Sequence, residues 1–155
     1  MTSRSELRWD ASKPVAGNAR QKLPELARQF FAAGRAAATL DSSPKALHHF
    51  RLQTKRFRYI LELFDDYYGP ALERRIDALR DLQDLLGAIN DCAATQDLLL
   101  NRDDLHASQR DRLLRNLKAT AARRIAAFRR SWLKEFSNPA QERWWTEYLN
   151  RFARG

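Results

Sequence analysis

Residues 45–64 read KALHHFRLQTKRFRYILELF, and helical spacing sets His48, Arg51, Lys55 and Arg58 along one side with Leu47, Phe50, Phe57, Leu61 and Phe64 along the other. At about 100° per residue the four basic side chains fall within a wedge of roughly 80° and span about 15 Å of axis. Arg56 and Tyr59 flank this row. The chemistry such residues offer is anion binding, because guanidinium forks donate paired hydrogen bonds to phosphoryl or carboxylate oxygens. Like charges three or four residues apart cost about 0.2–0.5 kcal/mol per pair, whereas a charged hydrogen bond is worth about 1.5–3 kcal/mol. Two such contacts outweigh the self-repulsion, so the row predicts a polyanionic ligand, with His48 contributing more as it protonates.

Other chemistries find less support. His48, His49 and His106 make no i, i+4 pair of the kind that ligates zinc, and no metal site is expected. Asp77, Asp81, Asp84 and Asp91 cluster on one side of a later helix. Their spacing is that of an ordinary solvated face as well as of a Mg²⁺ site, and they are also candidates to pair with the basic row. Cys92 is the single cysteine, which excludes an intrachain disulfide and fits a reducing compartment. There is no Walker-type glycine loop and no plausible nucleophile–base pair, so no catalytic residue and no cofactor is expected, and the chain reads as a non-enzyme.

Composition points the same way as the row. The formal net charge is +9 and the 28 basic residues divide into 22 Arg and 6 Lys. Arginine is the better phosphate ligand, so the excess favours phosphate contact over mere solubility. No run approaches the roughly 18 apolar residues that span a bilayer, and the first residues lack the apolar core of a secretory signal. A soluble, cytoplasmic protein is expected.

The elements that must position the row are helical. Five Gly and five Pro fall where helices would begin or end, and no alternating run suggests a strand. The spacing predicts an irregular segment over 1–17 and a single domain over 18–155, with helices near 18–40, 44–68, 71–100 and 108–136. A last short helix follows Asn138-Pro139 and carries Trp144, Trp145, Tyr148 and Phe152. Pro24 is expected to delay or kink the first helix, while Ser43-Pro44 is a start signal for the second and Gly69-Pro70 ends it. The fourth helix lines up Leu114, Leu117, Ala121, Ile125, Phe128 and Trp132 on one face. Long helices joined by short linkers predict an all-α, antiparallel four-helix bundle with an added C-terminal helix. Trp132, Trp144, Trp145 and Tyr148 follow apolar spacing and are expected in the core or a dimer contact, not in a base-stacking platform.

Three segments together resemble the CHAD family, the conserved-histidine α-helical domain. They are Leu47-His48-His49-Phe50-Arg51 with the cluster Lys55-Arg56-Phe57-Arg58, then Leu86-Gly87 followed by Asn90-Asp91, and the arginine-rich helix with Arg123-Arg124 and Arg129-Arg130. The resemblance implies a non-catalytic helical module that binds inorganic polyphosphate, found at polyphosphate granules or beside triphosphate-processing domains. It implies a site formed by His48, Arg51, Lys55, Arg56 and Arg58, joined by Arg123 and Arg124. Members of the family usually carry two helical units in tandem, and this chain resembles the second alone, so a homodimer restoring the pair is expected. The alternatives are a nucleic-acid-binding basic helical protein and an adaptor that recruits a phosphate-metabolising enzyme.

Overall fold

The computed structural model describes residues 8–151 and 153. The first seven residues of the segment expected to be irregular, and Phe152, lie outside the described residues. Five α-helices follow one another: α1 (Val15–Ala37), α2 (Pro44–Leu63), α3 (Pro70–Leu100), α4 (Ala107–Glu135) and α5 (Pro139–Arg151). A 3₁₀ turn at Asp65–Tyr67 separates α2 from α3, and no strand occurs among the described residues. The all-α expectation holds.

Local signals explain most boundaries. Ser43 Oγ accepts the amide of Ala46 at 3.1 Å, and Pro44 occupies a first-turn position where its missing N–H costs nothing. α1 begins at Val15, before the expected start, because Asn18 anchors the preceding strand of chain. Its Oδ1 accepts the Asp10 amide and its Nδ2 donates to the Asp10 carbonyl, each at 2.9 Å, so this buried polar side chain is satisfied. Pro24 therefore falls inside α1, which runs through it with one ladder bond forgone. α2 stops at Leu63, short of expectation, and the 3₁₀ turn swings Tyr68 inward.

α1 packs against α2 and α5, α2 against α3, and α3 against α4. Phe30 of α1 sits at the centre of the core, with ring centroids 5.0 Å from Phe57, 5.5 Å from Phe50 and 5.7 Å from Phe136. Trp132 of α4 completes the enclosure by lying across Gly34 of α1. Trp132 and Trp145 are buried as expected, while Trp144 and Tyr148 are half-buried and stack on each other at 4.7 Å. The expected apolar face of α4 is covered unevenly: Phe128 and Trp132 are buried and Ile125 packs half-buried against the core, while Leu114, Leu117 and Ala121 are half-buried. The reason is length, since α3 and α4 have 31 and 29 residues against 23 and 20 for α1 and α2.

α5 is tied to the turn between α2 and α3. Tyr68 Oη donates to the Leu149 carbonyl at 2.8 Å, and Tyr148 Oη accepts the Gly69 amide at 3.0 Å. Removing the hydroxyl in Tyr68→Phe orphans a buried carbonyl and is expected to cost about 1–2 kcal/mol. Burial pushes the Tyr68 phenol above its ordinary value, with the nearby Arg20 opposing the shift. A raised pKa means the folded state holds this proton more tightly, so the contribution is fully present below about pH 10 and is lost above it. Urea midpoints of wild type and Tyr68→Phe should therefore converge above about pH 10. A gap that stays constant there would show that the phenol ionises without cost and is not enclosed.

Candidate anion-binding site

α2 and α3 run antiparallel, so positions along the row meet successive turns of α3. His48 Nδ1 lies 2.7 Å from Asn90 Oδ1. Since an amide oxygen only accepts, this bond puts the proton on Nδ1 and leaves Nε2 for another partner. One turn on, Arg51 crosses over Gly87, its Nε 3.9 Å from where a Cβ would stand, which is ordinary van der Waals contact. Lys55 Nζ and the Arg58 guanidinium lie 5.6 Å and 4.6 Å from the centroid of the Tyr59 ring. Such ring contacts hold cationic heads in place without neutralising them.

The row is less exposed than its helical face suggested. His48 is exposed, but Arg51, Lys55 and Arg58 are half-buried, with Arg51 lying over Gly87 of α3. Arg58 is not bare of a carboxylate, as the row was expected to be, because it lies 3.6 Å from Glu62 Oε1 within α2. Glu62 also binds Arg80 at 3.0 Å, and Arg80 takes up Asp77. An i, i+4 pair of this kind is worth about 0.3–0.5 kcal/mol and does not withdraw Arg58 from a stronger anion. Among the described residues no aspartate of α3 pairs with His48, Arg51, Lys55 or Arg58. The Nε atoms of Arg51 and Arg58 are buried with no acceptor among the described residues. A buried donor without a partner costs about 1–3 kcal/mol, so an anion in the crease would relieve two such costs at once.

The other expected site residues are placed elsewhere. Arg56 projects toward α1 and borders a small cavity with Leu26, Gln29 and Phe30. Arg123 is exposed on α4, bonded to Thr120 Oγ1 at 3.0 Å. Arg124 crosses from α4 to α3, donating to the Ala88 carbonyl at 2.7 Å and lying 3.1 Å from Cys92 Sγ. Its guanidinium therefore clips the two helices together. The structure brings His48, Arg51, Lys55 and Arg58 into one line and separates Arg56, Arg123 and Arg124 from it.

Three contributors on α3 were not among the expected site residues. Asn90 bonds His48, Gly87 lies beneath Arg51, and Gln83 presents a buried Oε1 without a donor among the described residues. They recur at spacings of four and three residues, which is the signal that places them on one face. Among the described residues no group of three or more His, Cys, Asp or Glu side chains could hold a metal ion, and no helix is long and apolar enough to cross a membrane.

No curated protein and no solved structure matches the chain. The family model described as CHAD domain matches residues 3–100, more than half of the chain. The match includes the whole basic row and the Gly87–Asn90 face that receives it, and leaves α4 and its arginine-rich segment outside. On that extent of agreement, the chain belongs to the CHAD family.

Proposed function

We propose that this chain binds inorganic polyphosphate without turning it over, along the crease between α2 and α3. The observation that carries the reading is the line of cationic donors over about 15 Å, two of them with buried Nε atoms that lack acceptors. A linear phosphate polymer offers oxygens along its whole length, so it can meet His48, Arg51, Lys55 and Arg58 in succession. The association of the CHAD domain with polyphosphate binding supports the same ligand. The row supplies charge and hydrogen-bond donors, the equipment of a binding surface.

Titration with phosphate oligomers of graded length tests it. Affinity should rise with each added phosphoryl group until the oligomer covers the row, then level off. Salt dependence does not separate polyphosphate from nucleic acid, since both release counterions. Competition does: labelled polyphosphate is displaced by duplex DNA or single-stranded RNA at matched phosphate concentration and about 0.15 M salt, where screening extends about 8 Å. Nucleic acid winning by about tenfold or more, equivalent to about 1.4 kcal/mol, would replace this reading with the nucleic-acid one.

A further inference from the structure

The crease that carries the basic row does not end at His48. Gln83, Gly87 and Asn90 recur on α3 at spacings of four and three residues, and Ala94 and Asp97 continue the same spacing, as Pro44 does on α2 one turn before His48. Pro44, His48, Asn90, Ala94 and Asp97 line a cleft of about 270 Å³, floored by the buried side chains of Leu47, Leu86 and Ile89. That volume lies just below the roughly 300 Å³ at which small-molecule pockets begin, and an apolar floor with a few polar groups at the rim is their usual composition. A group the size of a nucleoside suits such a space.

The hydrogen-bonding character of the crease reverses at the cleft. Arg51, Lys55 and Arg58 offer donors only. At the rim of the cleft, the Asp97 carboxylate makes no ion pair or hydrogen bond among the described residues and offers acceptors only. Between them His48 gives its Nδ1 proton to Asn90 and keeps Nε2 as an acceptor while the ring is neutral, and Asn90 keeps its Nδ2 to donate. An inorganic phosphate polymer presents oxygens alone, and Asp97 repels them. A molecule that suits the whole crease carries phosphoryl oxygens at one end and an apolar ring system with hydroxyl or amino donors at the other. A nucleoside oligophosphate is built in this way, and a carboxylate is a familiar partner for ribose hydroxyls. We propose that the crease takes nucleoside oligophosphates, with the phosphates on Arg51, Lys55 and Arg58 and the nucleoside in the cleft beside Asp97, an inference that rests on the anion-binding reading of the row.

Binding of the common ribonucleoside triphosphates to the full chain, compared with inorganic triphosphate and long-chain polyphosphate without divalent cations in about 0.15 M salt, tests this. Esterification removes a negative charge, so charge alone favours inorganic triphosphate over any nucleotide of the same phosphate number. At least one nucleotide should nevertheless bind at least about tenfold tighter. Ala94→Phe fills the cleft from an exposed position and should erase that preference without weakening inorganic triphosphate. Asp97→Asn should weaken the nucleotide by about threefold to tenfold and leave inorganic triphosphate unchanged or bound more tightly, whereas net charge alone would strengthen both. Circular dichroism of each variant should match wild type. If long-chain polyphosphate binds and Arg51→Ala weakens it, but no nucleotide exceeds inorganic triphosphate, the cleft proposal falls while the polyphosphate reading stands. Equal losses of nucleotide and inorganic triphosphate in Ala94→Phe overturn the proposal as well. If long-chain polyphosphate does not bind, or Arg51→Ala leaves it unaltered, the reading and the proposal fall together.

Discussion

Gly34→Ala is expected to destabilise the fold by about 3 kcal/mol, measured as a shift of the urea midpoint at unchanged slope. A Cβ at this position would fall inside the van der Waals envelope of the Trp132 indole. Intrinsic propensity argues the other way, since alanine is favoured over glycine in a helix by about 1 kcal/mol. The collision wins because the indole has nowhere to go. Trp132 is 2% exposed and is held by Phe50 at 5.6 Å, Phe31 at 6.0 Å and Phe136 at 5.3 Å. Displacing it forfeits much of its burial, and complete truncation of a buried Trp costs about 3–5 kcal/mol. The double variant Gly34→Ala with Trp132→Leu should be less destabilised than the sum of the two changes, since the smaller side chain vacates the space the new methyl needs. Strict additivity, or a neutral Gly34→Ala, would mean that α4 does not cross α1 here.

Arg51→Ala should weaken polyphosphate binding by about tenfold to a hundredfold at about 0.15 M salt, the loss of one charged hydrogen-bonded contact worth about 1.5–3 kcal/mol. Arg51→Lys should recover only part of this, because an ammonium keeps the charge but lacks the planar fork. Arg51→Ala should be at least as stable as wild type, since the side chain makes no hydrogen bond or ion pair among the described residues and its removal relieves the cost of a buried Nε without an acceptor. Arg56→Ala is the control. It removes the same charge from the side of α2 that faces α1, and long-range electrostatics alone should change affinity by much less than tenfold. Equal losses for the two variants would mean that the ligand senses net charge and not the crease.

The two variants differ in how far the sequence anticipates them. Arg51 stands out from spacing alone, because a repeat of three and four residues assigns each side chain to a face whatever the helix packs against. Gly34 gives no such signal, since its importance depends on Trp132, nearly a hundred residues away in the chain. Arg124 is a similar case. It belongs to an arginine-rich helix that resembles phosphate-binding sequence, yet its guanidinium is spent on the Ala88 carbonyl and on Cys92.

Helix identity, the Ser43-Pro44 start and the placement of His48, Arg51, Lys55 and Arg58 on one face were determined by sequence, because caps and periodicity act within a few residues. Tertiary structure alone decided that this face meets Gly87 and Asn90 and that Arg56 turns toward α1. Those outcomes depend on register between packed helices. No local pattern encodes it, and contact between packed side chains settles it.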